Sequence, residues 1–419
     1  MKKAPLESRR QFLQYTALSG AFAGFSLPVL SAESGLDYRD ILPESMTKAG
    51  DSFSNYGQPS PYESKIIRWI SANPDMPGNG VSWSPLHELQ GSITPNGLHF
   101  ERHHNGVPDI DPARHTLLID GLVEKPLSFS VEALKRYPMQ SRICFIECGG
   151  NSNSSWRSRP IETAAGYAHG LVSNAEWTGI PLKYLLQEAG IQSKAKWVIA
   201  EAADGASLNV SIPLKKLLDD AILALYQNGE RLRPENGYPL RLVLPGWEGI
   251  TNVKWLRQLR LTDEPAMSRD ETAQYTDLMP DGTARQFSFE MEAKSLITSP
   301  SHGMKLPDNP GIYQLTGLAW SGRGKITRVE VSSDGGASWV DAELQQPVLS
   351  KAFTRFSLPW QWHGQYAMLQ SRATDESGYV QPSREQLLAN RGSHGFFHFN
   401  AIISWEVSED GYLYHVYPD

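Results

Sequence analysis

The sequence predicts an α+β domain followed by an immunoglobulin-like β-sandwich. Three observations carry this. Between about Ile93 and Asp263, strand-like runs alternate with short helical ones. From about Phe287 onward, short β-rich runs recur with turn signals between them. No G-x-G-x-x-G loop occurs, so a Rossmann nucleotide site has no support. The expected division is residues 1–32 as an export signal, 33–95 as an N-terminal arm, 96–263 as the first domain, 264–290 as a connection and 291–419 as the sandwich.

Residues 1–32 read as a targeting segment. Lys2, Lys3, Arg9 and Arg10 form a basic head, Tyr15 to Leu30 is an apolar stretch, and Leu30-Ser31-Ala32 offers a small residue for cleavage. Ser8-Arg9-Arg10-Gln11-Phe12-Leu13-Gln14 is similar to a twin-arginine signal, with an ordinary secretory signal as the alternative. The expected destination is the periplasm, reached by export of the folded chain. No later segment reaches the ~18 apolar residues of a membrane span, so no anchor is expected after cleavage. Residues 33–95, rich in Pro, Gly, Ser and Asn, read as an extended arm with one helical stretch near Ile66 to Ile70.

In the first domain His115 to Gly121 reads as a strand, Ser130 to Tyr137 as a Ser-capped helix and Arg142 to Glu147 as a strand. Pro181 to Ala189 reads as a helix stopped by Gly190, Lys196 to Ala202 as a strand, Pro213 to Asp219 as a helix and Leu240 to Leu244 as a strand. In the sandwich, Gly311 to Leu318, Ile326 to Ser332, Arg355 to Pro359, Ala367 to Ala373 and Ile402 to Val407 read as strands. Asp334-Gly335-Gly336 is a hairpin signal, and the alternation Val329-Glu330-Val331-Ser332 implies one buried face.

The 419 residues suffice for two or three domains, and a net charge of −7 argues against a nucleic-acid partner. Only two cysteines occur, Cys144 and Cys148. Four residues apart on one strand, their Cα atoms lie roughly 13 Å apart, beyond the ~7 Å limit of a disulfide. Both read equally as buried core thiols. However, Cys148 ends an apolar run and precedes Gly149-Gly150, where a bulky ligand can approach the backbone. An unpaired thiol in an exported chain suits a soft metal. No zinc-type spacing and no C-x-x-C-H occurs, so haem is not expected in this chain and the bound group must bring most of its own ligands.

Four stretches carry a resemblance: Asn96-Gly97-Leu98-His99-Phe100-Glu101-Arg102-His103-His104, Glu147-Cys148-Gly149-Gly150-Asn151, Gly237-Tyr238-Pro239-Leu240-Arg241-Leu242-Val243-Leu244-Pro245-Gly246-Trp247 and Asn252-Val253-Lys254-Trp255-Leu256. Together they resemble the sulfite oxidase family of molybdenum enzymes. Within it the chain is most like the molybdenum subunits that act as sulfane or sulfite dehydrogenases in thiosulfate oxidation. The resemblance implies a molybdopterin-binding domain and a dimerising sandwich. It implies Cys148 as the molybdenum ligand beside the pterin dithiolene. Arg102 would flank the metal's oxo face and the substrate, and Phe100, His104, Asp204, Asn236, Arg241, Val253 and Lys254 would hold the cofactor. Tyr275, twenty-one residues after Lys254, matches the active-site tyrosine, and Arg391 the substrate-pocket arginine. Arg and Lys in fixed geometry suit a phosphate-bearing group.

Two departures bear on the substrate. The family's cysteine motif continues with two arginines where Ser152 and Asn153 stand, and its histidine before Gly-x-Pro-x-Arg is Asn236. These weaken the expectation of tight binding of free sulfite and suit a substrate of sulfane sulfur on a carrier-protein cysteine, oxidised with water as oxygen source. Electrons would leave to a c-type cytochrome subunit, in a homodimer or heterotetramer. Oxidation of free sulfite is the alternative, and a non-catalytic scaffold or carrier-binding subunit is the alternative of another class.

Overall fold

The computed structural model describes residues 43–46, 49, 52–307 and 310–418. The chain divides into residues 1–60 and residues 61–419. The expected signal and the start of the arm lie outside the described residues. Within the first unit, Glu44–Met46 forms a short 3-10 turn. Everything below concerns the second. Among the described residues no helix is long and apolar enough to cross a membrane.

Trp69–Ala72, Gly80–Trp83 and Glu101–His103 form a three-stranded antiparallel sheet. Here the sequence reading is corrected. The apolar stretch near Ile66 to Ile70 leads into a strand, because Gly78 at φ +75° turns the chain and Trp69 stacks across the hairpin on Trp83 at 4.8 Å. Part of the expected arm is therefore sheet, and it backs the strand that carries Arg102.

Two five-stranded sheets follow. One joins Leu127–Ser130, Thr116–Gly121, Leu256–Thr262, Trp197–Ala202 and Asn209–Pro213, with a single parallel pairing between Thr116–Gly121 and Leu256–Thr262. The other joins Glu230–Arg231, Ile222–Gln227, Val172–Pro181 and Gln140–Glu147, with Arg241–Val243 pairing on Ile222–Gln227. The helix Leu182–Ala189 buries Leu182, Leu185, Leu186 and Ala189, the one-face spacing of 3.6-residue periodicity. It stops at Gly190, whose φ of +72° suits a residue without Cβ. Ser130 caps Val131–Leu134 by accepting from the Ala133 N–H at 3.1 Å.

The C-terminal part is two antiparallel sheets. Lys294–Ser299, Gly311–Trp320, Thr354–Trp362 and Glu343–Leu344 form one; Val340–Asp341, Ile326–Ser332, Ala367–Asp375, Ser404–Val407 and Leu413–Val416 form the other. The Asp334-Gly335-Gly336 turn joins two paired strands as expected. The alternation at Val329–Ser332 does not give one buried face: all four residues are buried. Glu330 is covered because Arg372 binds its carboxylate through two nitrogens at 2.8 and 3.0 Å while stacking on Trp339.

The strand Gln140–Glu147 positions the site. Its first residues are exposed and its last four buried, because both of its faces are covered there. Phe145 packs into the sandwich core, whereas Cys144 and Ile146 pack into a cluster with Phe100 and Trp177. Strand alternation then aims Glu147 at the sandwich and Cys148 at the opposite side. Both cysteines are free, as their spacing requires.

Candidate active site

Cys148 opens a turn held on three sides. Its N–H donates to the Leu171 carbonyl at 2.9 Å, and its carbonyl accepts from the Asn151 N–H at 2.9 Å. Gly149 faces the Glu248 carboxylate so closely that a Cβ there has no room. Its carbonyl accepts from the His398 N–H at 2.8 Å. The thiol lies at the junction of two clefts. The inner one, about 720 Å³, and the outer one, about 1380 Å³, share Arg102, His104, Cys148 and Tyr275.

Besides the strand end at Ile146 and Cys148, four pieces of chain line the inner cleft. The strand Glu101–His103 and its flanks bring Phe100, Arg102 and His104. The turn after Trp197–Ala202 brings Asp204. Residues 236–254 bring Asn236, Arg241, Val253 and Lys254. Tyr275 follows the helix Arg269–Ala273, whose start is fixed by a reciprocal Ser268–Glu271 capping box. Ten of the eleven residues singled out in the sequence therefore meet in one cavity.

Arg391 is not among them, and its expected place is corrected. It ends the helix Arg384–Arg391, buried, with its guanidinium 3.4 Å from both Asp277 and Glu292. Two carboxylates occupy it, so the loop that follows, not the arginine, reaches the outer cleft, through Phe396 and Phe397. Phe397 stacks on Tyr275 at 5.0 Å.

The electrostatics of the inner cleft ask for an anion. Arg241 donates to the Asn236 and Asn252 carbonyls, each at 2.9 Å, and lies over the Trp177 ring at 4.9 Å. Its Nε and the Asn236 side-chain amide are buried without a partner. Burial pulls Arg241 down to about 9; burial and neighbouring Arg241 pull Lys254 well below its ordinary value. Lys254 is surrounded by neutral acceptors: the Arg102 and Glu235 carbonyls at 3.2 Å and His103 Nδ1 at 2.8 Å. Two desolvated basic groups, with unused donors on Arg241 and Asn236 beside them, fit a phosphate.

Burial keeps Cys148, His104 and Tyr275 neutral. It pushes the Cys148 thiol up to about 11, so only a bound cation would make it a thiolate. It lowers His104 to about 4 and raises Tyr275 far above the ordinary phenol range. The Tyr275 hydroxyl meets His104 Nε2 at 3.4 Å. Asp204 offers a carboxylate to the same cavity. A soft thiol, a phosphate-seeking pair of cations and a carboxylate acceptor for heterocycle N–H groups match what molybdopterin requires.

Sequence reasoning missed several residues. His99 lines the inner cleft beside Trp177, with its Nε2 unpartnered; it stood inside a motif already singled out. His103 holds Lys254 and pairs with Glu101 at 2.7 Å. Lys294, a charged residue inside a run that otherwise buries, was the one sequence hint of the contacts behind Cys148.

The fold and this cleft define a molybdopterin-binding oxidoreductase. Residues 104–269 match the family model described as oxidoreductase molybdopterin binding domain, and residues 285–405 match the Mo-co oxidoreductase dimerisation domain. The chain belongs to the sulfite oxidase family of molybdenum enzymes. The crystal structure of the sulfane dehydrogenase SoxCD from Paracoccus pantotrophus superposes with a TM-score of 0.88 at 43% identity, covering 92% of this chain and 100% of that one. Mitochondrial sulfite oxidase of Drosophila melanogaster is 36% identical over 271 residues, 60% of this chain and 47% of its own length. An NADH nitrate reductase of Cichorium intybus is 30% identical over 370 residues, 79% of this chain and 39% of its own length. This chain thus spans less than half the length of those two relatives.

Proposed function

We propose that this protein is the molybdenum subunit of a periplasmic sulfane dehydrogenase. It oxidises sulfane sulfur carried on a cysteine of a carrier protein, takes oxygen from water and passes electrons to a c-type cytochrome subunit. The observation that carries this reading is the outer cleft. It reaches the Cys148 thiol through about 1380 Å³ of open space, walled by Phe396 and Phe397 on one side and by Asn79 and Asn105 on the other. Arg269, at its mouth, is spent on Asp270 at 3.2 Å. Arg102 is then the cation available beside the thiol, its guanidinium meeting backbone carbonyls and no carboxylate among the described residues. A wide channel with one available cation suits a monoanionic persulfide on a protein arm better than a small dianion, which draws on several cations. The similarity to a sulfane dehydrogenase at 43% identity supports the same substrate class.

Molybdopterin held here would supply two-electron redox and oxygen-transfer chemistry at a metal bound to Cys148. The chain's own residues bind and orient. Arg241, Asn236 and Lys254 would hold the phosphate, and Asp204 would accept from the pterin ring. Arg102 would orient the anionic end of the substrate. Tyr275, protonated throughout the physiological range, would donate a hydrogen bond at the reacting centre and relay a proton to His104, its 3.4 Å neighbour. Gly149 leaves room for the Glu248 carboxylate against the turn that presents Cys148.

The test is a substrate comparison on cofactor-loaded protein with one electron acceptor. Carrier-bound persulfide should turn over at least ~10-fold faster, in kcat/KM, than free sulfite. The reverse order would make it a sulfite dehydrogenase. Absence of turnover with both, in protein containing molybdenum, would favour a scaffold or carrier-binding subunit.

A further inference from the structure

Behind the Cys148 turn, away from both clefts, lies a buried ion pair that spans the two domains. Glu147 precedes the thiol; Lys294 opens the first strand of the sandwich, and their side chains are 2% and 1% exposed. Lys294 Nζ donates to Ser152 Oγ at 2.7 Å and lies 3.4 Å from Glu147 Oε1. The same Oε1 accepts from Asn151 Nδ2 at 2.9 Å, and Oε2 accepts from the Trp320 indole N–H at 2.6 Å. Ser152, at φ +63°, sits in the left-handed region, and its hydroxyl also meets His169 Nδ1 at 2.7 Å. A serine holds that conformation only under outside constraint, and Lys294 and His169 provide it. Both ends of the turn that presents Cys148 are thus gripped by one lysine from the other domain.

Taking Cys148 as the molybdenum ligand proposed above, we infer that Lys294 is a positioning residue for the metal site: it fixes the Glu147–Ser152 turn and neutralises the carboxylate behind the thiolate. Glu147 sits in a setting of low polarity, one residue from the ligand, where charge acts over several ångströms with little screening. Removing the ammonium would leave a bare negative charge next to the metal and favour its oxidised state. Removing the carboxylate would do the opposite. Removing both would leave the balance nearly unchanged. The sandwich, on this assignment, is part of the metal site and not only a dimerising module.

The experiment compares Lys294→Met, Glu147→Gln and the double variant with wild type, as full-length, cofactor-loaded protein. Molybdenum content is measured first, then the reduction potential by electron paramagnetic resonance titration. The expected result is a lower potential in Lys294→Met, a higher one in Glu147→Gln and a return close to wild type in the double variant. Equal potentials in Glu147→Gln, the double variant and wild type would overturn it, whatever happens to stability. The double variant buries no unpaired charge, so the test stands even if neither single variant folds: a potential in it far from wild type would overturn the charge balance. A wild type without molybdenum would remove the metal-ligand reading itself, and the role of Lys294 with it.

Discussion

On the cleft side of Cys148, side chains come from several pieces of chain and leave hydrogen-bonding groups unused; the donors Arg241 Nε and Asn236 Nδ2 and the acceptor His99 Nε2 have no partner there. On the far side the charges are matched within the protein: Glu147 takes Lys294, Asn151 and Trp320. A surface built to bind keeps hydrogen-bonding capacity in reserve, whereas one built to hold a ligand's backbone spends it. The contrast separates residues whose loss should abolish cofactor binding from those whose loss should mainly loosen the site.

The largest effect belongs to the hinge between the two sides. Cys148→Ser should lose turnover to background while keeping its fold, since a hydroxyl replaces the only thiol among the described residues that line the cleft. Molybdenum analysis beside circular dichroism checks this, and wild-type turnover in the variant would sink the ligand assignment. On the cleft side, Arg241→Ala should cut cofactor content by roughly 10- to 100-fold in affinity, the range seen when supporting contacts of a metal site are removed. Full cofactor loading would show that the phosphate is held elsewhere. Arg102→Gln should raise KM and lower kcat/KM about 10- to 100-fold, the size of a lost hydrogen bond to a charged group. An unchanged kcat/KM would remove it from the substrate pocket.

On the far side, Trp320→Phe leaves Glu147 Oε2 without its indole donor. A loss of about 1–3 kcal/mol in unfolding free energy is expected, with cofactor content near wild type. Loss of the cofactor at unchanged stability would erase the distinction between the two sides. The smallest effect is common to both. Burial lowers His99 on the cleft side to about 3 and His415 on the far side to about 4. In the unfolded chain both take a proton near pH 6.5, so acidification below that favours unfolding until the folded pKa is reached. The melting temperature should fall as pH drops from 6.5 towards 4. His415→Gln should flatten that slope by its share, and an identical slope would show that His415 is accessible.

Read as a string, the chain determined the order of elements and the strand that ends at Cys148 through short local patterns such as a capping serine or a stopping glycine, whereas the ten cleft residues were reached through the resemblance of four motifs to a known family. The helices Val131–Leu134 and Leu182–Ala189 follow from such signals directly. What the pattern could not supply is which face of a strand another domain covers. The burial of Glu330, the strand in place of a helix at Trp69–Ala72, the withdrawal of Arg391 into Asp277 and Glu292, and the grip of Lys294 on Ser152 each pair residues far apart in the chain. Such contacts depend on how two cores meet, and a buried charge is placed by the partner that neutralises it, a choice made in tertiary packing and invisible in local sequence.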